Sequence, residues 1–227
     1  MRVLIMKVLS IKQSDAEPWI MKKHYAKRMP SISFCYGLYD NGSLIGIVTY
    51  GVPSSSPLRA GICGNDWKDR VLELNRLVCD SGQNNASKLV AGSLRHLPQP
   101  SIIVSYADTS MGHVGYVYQA TNFLYTGLSA KRTDWKVKGM EHLHGQTIGD
   151  LSRGQDNRAE WMKQKYGDDF YLEERPRKHR YVYFCGNKRQ RKEMLNNLQY
   201  MIEPYPKGAS QRYDANGSVP VQNLLFV

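Results

Sequence analysis

The chain has 227 residues, a formal net charge of +11 and a hydrophobic fraction of 41%. That length and that fraction are enough for a globular core, which excludes a wholly disordered chain. No apolar run reaches the roughly 20 residues that span a bilayer. The excess of Lys and Arg predicts a polyanionic partner, nucleic acid first and an anionic membrane second. Four cysteines without C-x-x-C spacing predict reduced thiols, not a zinc site or disulfides.

The N-terminal part predicts a strand, a helix and a β-hairpin. The segment MRVLIMKVLS is interrupted by Lys7 too early for a secretory signal, so we interpret it as a first strand. A capping-box pattern predicts a helix from about Asp15 to Tyr25. Residues 31–39 and 44–50 flank Asp40-Asn41-Gly42, and because Asn-Gly supplies the positive φ values of a tight turn, they predict a hairpin.

The middle of the chain alternates connections, strands and helices. Residues 51–65 are rich in Pro, Ser and Gly and predict an irregular connection. The next segment, Val71–Val78, predicts a strand in which Glu73 and Asn75 share one face, suited to cross-sheet hydrogen bonding or a site wall. An apolar stripe then predicts a helix from about Ala86 to Leu97.

The stretch Ser101–Gly127 is the one around which the chain is organised. Its apolar run Ile102–Val104 predicts a buried strand, which ends in a polar turn at Asp108 before a helix and a further strand from Leu124. Ligands of open α/β sheets lie at the carboxyl ends of strands, so Asp108 is a candidate site residue. The alternative is that Asp108 only caps the following helix.

Beyond Gly127 the sequence becomes polar and then basic. His142 and His144 are typical of metal ligands, but no matching cluster stands beside them, and we predict no metal site. Residues 158–165 predict a helix. Residues 181–185 alternate as a strand does, and a helix is predicted over 188–198.

The segment Arg175–Lys192 carries eight lysines and arginines, no acid, and interleaved aromatic residues. Such a pattern favours phosphate contacts and base stacking, although a solvated basic helix is the alternative. The predicted nucleic-acid contacts are Arg175, Arg177, Lys178, Arg180, Lys188 and Arg189.

We expect a single domain. Its core covers about residues 1–130 and a basic C-terminal part covers about 131–210. A tail over residues 211–227 either docks on the body or is disordered.

The order of these elements and several motifs carry a resemblance to a known family. The motifs are ELNRL, SYADT, GHVGYVYQATNF, LYTG, WKVKG, RPRKHRYVYF and a late PYPKG. From about His24 to Gly208 the chain resembles the Mom family of phage DNA adenine-modification proteins. The resemblance implies a GNAT-like acyltransferase fold, an α/β fold whose central mixed sheet is flanked by helices and splays between its fourth and fifth strands to admit an acyl donor.

The resemblance also implies a reaction and a setting. The exocyclic amine of adenine in double-stranded DNA gains a carbamoylmethyl group, which protects phage DNA from restriction in the cytoplasm of the bacterial host. A membrane partner is not expected. Two alternatives stay open: a conventional N-acetyltransferase that uses acetyl-CoA, and a non-catalytic DNA-binding protein.

The family's functional positions fall on His24, Tyr25, Ser93, Asp108 and Tyr118. The target base must leave the duplex, so that Tyr25 or Tyr118 can stack on it. Asp108 is expected to act as general base if burial raises its pKa, with His24 as the rival for that role. Ser93 is expected to stabilise an oxyanion or to hold the donor.

The donor is the open part of this prediction. GNAT enzymes that use acetyl-CoA grip its pyrophosphate with a glycine-rich turn at a helix N-terminus. The matching loop contains the predicted donor-binding residues Ser81, Gly82 and Asn85, but it has one glycine and begins with Asp80. Acetyl-CoA therefore stays an alternative, and glycyl-tRNA is favoured because a glycyl group and a carbamoylmethyl group add the same atoms to adenine. A tRNA would then be a second nucleic-acid partner.

Iron is implied for some members of the family. His24, Asp108 and Tyr118 offer ligand atoms, but iron sites usually take two histidines and a carboxylate, and one histidine stands with them. Iron therefore stays a possible cofactor, and no residues are predicted as metal ligands. The oligomeric state is not predicted by the sequence.

Overall fold

The computed structural model describes residues 6–143 and 145–208 of the protein. These residues form two compact units. Unit 1 holds the described residues up to Ala107, then His113–Gly127 and those from His179 onward, whereas unit 2 holds Asp108–Gly112 and Leu128–Lys178. The chain leaves unit 1 at Asp108 and at Leu128 and returns to it at His113 and at His179. The tail over residues 211–227 lies outside the described residues.

The helices and strands have the following bounds. The strands are β1 (Met6–Ser10), β2 (Phe34–Asp40), β3 (Ser43–Gly51), β4 (Val71–Cys79), β5 (Ser101–Asp108), β6 (Leu124–Leu128), β7 (Arg132–Val137), β8 (Phe170–Arg175) and β9 (Lys178–Cys185). The helices are α1 (Gln13–Lys23), α2 (Ser56–Cys63), α3 (Asn85–Leu94), α4 (Tyr116–Ala120), α5 (Gly145–Asp150), α6 (Arg158–Tyr166) and α7 (Lys188–Asn196).

Unit 1 is built on a mixed sheet in the order β1-β2-β3-β4-β5-β9-β6. One face carries α3 and α4, whose apolar side chains share a core with Leu72, Leu74 and Tyr181 of the sheet. On the opposite face, α1 lies over Ile47 and Val78, and α2 and α7 form a further core there. The predicted fold class, a central mixed sheet flanked by helices, is confirmed. Within the described residues, none of the helices has the length and apolar character that a membrane crossing requires.

Most predicted elements are present and one expectation is corrected. The hairpin of β2 and β3 turns at Asn41 and Gly42, whose φ angles are 47° and 86°. The irregular connection expected over residues 51–65 contains α2, which Ser55 caps by accepting the Leu58 N–H at 3.3 Å. Strand β9, in the basic C-terminal part, lies between β5 and β6 in the sheet.

Unit 2 is a small α/β unit. Its strands β7 and β8 pair antiparallel, from Arg132↔Arg175 to Val137↔Phe170. Helices α5 and α6 contribute Ile148 and Met162 to its core. The sequence predicted α6, whereas β7 and α5 fall in a stretch that has too little periodicity to be recognised.

A strap of residues 199–206 runs along β6, the edge strand of the sheet. The Gln199 N–H donates to Ile62 O at 2.8 Å, and the Glu203 N–H donates to Tyr125 O of β6 at 2.9 Å. The Tyr205 hydroxyl then donates to the Phe123 carbonyl at 2.7 Å. The C-terminal part of unit 1 is therefore fixed along this edge.

Strands β4 and β5 part inside the sheet. They are parallel and pair from Val71↔Ile102 to Leu74↔Ser105, after which the pairing ends although both strands continue. We call this opening the fork. The expected splay between the fourth and fifth strands is thus confirmed.

A β-bulge in β4 changes which side chains face each other. The register between β3 and β4 shifts so that Asn75 is an extra residue in β4. An extra residue moves every later side chain to the opposite face. Glu73 therefore shares the α1 face with Arg76 and Val78, whereas Leu74 lies on the α3 face. The Asn75 side chain also lies on the α1 face, because its Oδ1 accepts the Thr49 hydroxyl at 2.6 Å and Thr49 alternates with Ile47 of the α1 core. Glu73 and Asn75 therefore share a face, as the sequence predicts.

Candidate functional site

Six side chains of unit 1 gather around the fork. We call them the His24 cluster; they are His24, Tyr25, Glu73, Arg76, His113 and Tyr118. The rings of His24 and Tyr25 stack with their centroids 4.4 Å apart, and His113 meets the Tyr25 ring edge-on at 6.1 Å. Arg76 and His113 act electrostatically on His24, and Tyr25 and Glu73 act on Tyr118.

His24 is a buried, neutral histidine at the end of α1. Its side chain is 8% exposed, and burial, with the charges of Arg76 and His113, lowers its pKa to about 4. Its Nδ1 accepts the Ala26 N–H at 3.0 Å. Because Nδ1 is the acceptor, the proton of the neutral ring is on Nε2. His24 therefore offers an N–H donor, and the expected role as a rival general base is not supported.

Tyr118 places its hydroxyl at the fork. The Ser105 hydroxyl donates to Leu74 O at 3.0 Å across the last pair of β4 and β5. Ser105 also hydrogen-bonds the Tyr118 side chain, so Tyr118 is the donor in that bond. Burial raises the pKa of Tyr118 to about 12, which keeps the phenol neutral. Its interaction with Glu73, from the opposite face of the sheet, runs through the fork.

Strand β4 holds the loop that carries Tyr25. The Arg76 guanidinium donates from Nη2 and Nε to the Arg28 carbonyl, at 2.9 and 3.2 Å. The Asn75 amide donates to Ser31 O at 2.8 Å. The loop comes so close to β3 that a Cβ at Gly51 would lie 1.9 Å from Ser31 O. The bulge thus has a direct effect on the position of the loop.

Asp108, in unit 2, is an ion-paired carboxylate. Its Oδ2 lies 2.8 Å from Lys178 Nζ, and its Oδ1 accepts the Ser110 N–H and hydroxyl at 3.1 and 2.6 Å. Burial raises the pKa of Asp108, but the Lys178 and Ser110 contacts outweigh it and the net shift is downward. The condition set for a general base, a raised pKa, is not met. Asp108 caps the 3₁₀ turn Thr109–Met111, whereas the N-cap of the following helix α4 is Gly115. Its convergence with the His24 cluster stays a prediction.

Ser93 lies in the core and has no exposed surface. Its hydroxyl donates to Val90 O at 2.9 Å, so it is the acceptor in the 2.6 Å bond with the Tyr50 hydroxyl. Tyr50 is likewise fully buried. Ser93 therefore fixes Tyr50 inside the core, and the expected contact with an oxyanion or donor is not supported.

Comparison with known proteins decides the family. The model of the Mom protein family matches residues 5–207. The chain belongs to the Mom protein family. This Mom-family chain is 30% identical over 198 residues to "Methylcarbamoylase mom" of Escherichia phage Mu, and the match covers 83% of this chain and 78% of that protein.

Solved structures similar to this Mom-family chain include acetyltransferases. One is a GNAT-family acetyltransferase from Bacillus cereus ATCC 10987, with 12% identity, a TM-score of 0.39, and coverage of 79% of this chain and 97% of that chain. Another is the ribosomal-protein-S18-alanine N-acetyltransferase from Escherichia coli, with 10% identity, a TM-score of 0.43, and coverage of 80% and 95%. These similarities are too distant to bear on donor or substrate.

The loop expected to hold the donor precedes α3. Ser81 and Gly82 are exposed, whereas Asn85, the first residue of α3, is 6% exposed. The acid at the start of this loop is neutralised, because Asp80 Oδ1 lies 2.5 Å from Lys23 Nζ. Donor binding by this loop in the Mom-family chain stays a prediction.

Three of the predicted nucleic-acid contacts make internal contacts instead. Arg177 donates to Ser129 O at 2.6 Å, and Lys178 pairs with Asp108. The Arg180 guanidinium lies 3.3 Å from the centre of the Tyr200 ring. These cations stabilise the ends of β9 and its neighbours, and their charges are already partnered.

The other three predicted contacts are exposed. Lys188 and Arg189 lie on the surface of α7, and Arg175 ends β8 with its Nε 3.9 Å from Asp134 Oδ2. Nucleic-acid binding by these side chains stays a prediction. Among the interleaved aromatic residues, Tyr181 is fully buried and Phe184 is 7% exposed, so these two rings do not offer a stacking surface.

The His24 cluster contains two histidines, His24 and His113, whereas one histidine was expected there as a possible iron ligand. Even so, over residues 6–143 and 145–208 no group of three or more His, Cys, Asp or Glu is placed to hold a metal ion. His24 also commits Nδ1 to the Ala26 N–H. The described residues of the Mom-family chain therefore do not fit an iron site. His144 lies outside the described residues.

Proposed function

We propose that this protein is a transferase that modifies DNA, attaching a carbamoylmethyl group to the exocyclic amine of adenine. Its membership of the Mom family and its similarity to a methylcarbamoylase of phage Mu support this reaction. In a phage-infected bacterium the modification would protect phage DNA from restriction. The observation that carries the proposal is the His24 cluster, a set of hydrogen-bonding groups with one guanidinium and one carboxylate beside an exposed aromatic ring.

The exposed ring suits a flipped base. Adenine's amine is buried in the duplex, so the base must be extruded before it can react. Tyr25 is 51% exposed while its ring is held against His24, and it therefore offers a rigid aromatic face. Stacking of a base on such a face contributes about 1–3 kcal/mol.

The remaining groups suit acyl transfer. As the adenine nitrogen attacks the donor carbonyl, negative charge develops on the carbonyl oxygen, and the His24 Nε2–H is a neutral donor for it. Glu73 is the carboxylate of the cluster, and it takes the proton that leaves the nitrogen as the new C–N bond forms. The leaving group departs with the electron pair of the bond that breaks at the carbonyl carbon. The Tyr118 hydroxyl, held at the fork by Ser105, positions the reacting groups.

Glycyl-tRNA is the donor we favour. An acetyl group lacks the nitrogen that a carbamoylmethyl group contains, whereas a glycyl group supplies it. Transfer of glycine from the tRNA ester to the adenine amine gives a glycyl amide and a free tRNA hydroxyl. The glycine amine then attacks the ring carbon, the bond from that carbon to the original nitrogen breaks, and this nitrogen becomes the amide of the product. The net charge of +11 suits a protein that holds two nucleic acids.

Mass spectrometry of nucleosides tests the reaction. DNA co-expressed with the protein should contain carbamoylmethyladenine, and Glu73→Gln should lower its rate of formation about 10²-fold or more. Glu17→Gln, at an exposed position on α1, is the matched control and should have no effect. Unmodified DNA from the wild type would refute the function. Labelling the exocyclic nitrogen tests the donor route separately: the rearrangement is wrong if the label stays on the ring carbon.

A further inference from the structure

The segment before the hairpin is basic. Between Glu17 and Asp40 the chain has four Lys and Arg residues and no acid. Three of these cations, Lys22, Lys27 and Arg28, are exposed. Within the described part of the chain, none of the three has a carboxylate within ion-pair distance. Their charges are directed to solvent or to a partner.

The fourth cation of this segment serves the fold. Lys23 Nζ lies 2.5 Å from Asp80 Oδ1 and 3.9 Å from the centre of the Trp19 ring. The contrast shows that basic residues here are of two kinds. One kind is partnered within the protein, and the other is presented at the surface beside the His24 cluster.

Lys27 is held in a strained backbone conformation. Its N–H donates to His24 O at 3.0 Å and closes the turn that presents Tyr25. Its φ angle is 40°, in the left-handed region that disfavours side chains with a Cβ and is tolerated best by Gly and Asn. Strain of this kind persists at functional sites, where a particular side chain is needed despite its cost. A lysine at this position thus points to a role for its ammonium group.

The surroundings fix this turn in place. Arg76 holds the Arg28 carbonyl from β4, and the Tyr25 ring lies on His24. The three exposed cations lie within three residues of Tyr25 in the sequence, on a segment that these contacts hold in place. Phosphates next to a base that stacks on Tyr25 would lie within reach of these side chains.

We propose that Lys22, Lys27 and Arg28 form a phosphate-binding collar that grips the DNA backbone beside the extruded base, and that Lys27 occupies its left-handed position for this contact. This inference rests on the proposed function. It places a DNA contact at the turn that follows α1. This turn is far in the sequence from the basic segment at residues 175–192 and from α7. Phosphate contacts of this kind fix the position of the strand and carry no sequence preference.

Lys27→Asn tests the collar, because asparagine tolerates the left-handed conformation and removes the charge. Affinity for a short DNA duplex is measured as a function of salt concentration. Loss of one phosphate contact should reduce the slope of log K against log salt by about 0.9, which is up to about eightfold in affinity at 0.1 M salt. The thermal midpoint should stay equal or rise, because strain is relieved.

Lys12→Asn is the matched control. Lys12 is exposed and precedes α1 at the end opposite to Tyr25, about 16 Å away along an 11-residue helix. Lys12→Asn removes the same charge as Lys27→Asn, and it should leave the DNA affinity and its salt slope nearly unchanged. Equal effects of the two substitutions would show general charge attraction only and overturn the collar.

Nucleoside analysis separates this inference from the proposed function. If wild-type protein modifies adenine and Lys27→Asn does so with the same DNA affinity and salt slope, the collar is wrong and the function stands. If wild-type protein binds DNA through Lys27 but leaves adenine unmodified, the function is wrong and the phosphate contact stands.

Discussion

Replacing His24 by asparagine should make the fold less sensitive to acid between pH 7 and pH 5. Asparagine keeps an acceptor for the Ala26 N–H in place of Nδ1, but it does not titrate. At pH 7 the wild-type imidazole is neutral in both the folded and the unfolded chain, and the pKa difference then has no effect on the free energy of unfolding. Below pH 6.5 the unfolded chain takes up a proton, whereas the buried ring, with a pKa of about 4, does not. The folded state is therefore progressively destabilised as the pH falls from 6.5 towards 4.

The size of this effect follows from the two pKa values. Between pH 7 and pH 5, a shift from 6.5 to about 4 lowers the free energy of unfolding by about 2 kcal/mol. Urea unfolding, followed by circular dichroism at both pH values, should show a pH-dependent loss that is smaller by about this amount in His24→Asn. If the two proteins lose the same free energy, His24 is not a buried neutral ring, and the argument for an Nε2–H donor fails.

Three further predictions test other parts of the structure. Ser93→Ala should lower the free energy of unfolding in urea by about 1–3 kcal/mol, because it leaves the Tyr50 hydroxyl buried without its acceptor. The double variant with Tyr50→Phe should recover part of this loss. If Ser93 had a catalytic role, the substitution would instead abolish modification in soluble, folded protein. Gly51→Ala should lower the thermal midpoint strongly, since overpacking typically costs about 1–3 kcal/mol and the new Cβ meets backbone; an unchanged midpoint would contradict the close approach. Lys188→Ala with Arg189→Ala should leave the midpoint within a few degrees of wild type and reduce the salt slope of DNA binding by about 1.8, and no change in slope would show that α7 does not contact DNA.

The sequence predicts the elements whose signal is local. The hairpin follows from Asn41-Gly42, and the order of strands and helices from apolar periodicity. Helix α2 was missed because its short apolar pattern lies among prolines, serines and glycines. In the structure Ser55 caps it and Pro57 stands in its first turn, where a missing N–H does no harm.

The sequence predicts only part of the site. The rest depends on a β-bulge in β4, and a bulge is set by the pairing of two strands and not by the sequence of one. His24, Tyr25 and Tyr118, three of the predicted site residues, are members of the His24 cluster. Glu73 was expected at a site wall or in cross-sheet bonding, but its partnership with Arg76 depends on the extra residue in β4. That register is set by pairing with β3, and no pattern within β4 alone announces it.

The basic residues show the same limit. Charge and aromatic content in residues 175–192 predict a nucleic-acid surface, yet Arg180 and Tyr181 belong to an inner strand of the sheet. A run of cations in the sequence does not show which of them make contacts inside the folded protein. The structure distinguishes cations that have a partner inside the protein from cations that are exposed. Exposed cations also occur at the turn that presents Tyr25.

The strap over β6 has a consequence for self-association. An uncovered edge strand presents a row of backbone donors and acceptors to which another chain can add. Glu203 and Tyr205 occupy two acceptors of this stretch, at Tyr125 and Phe123. The residues after α7 therefore protect this edge from strand-to-strand aggregation. A protein truncated before residue 199 would expose the edge of β6 to pairing with other molecules.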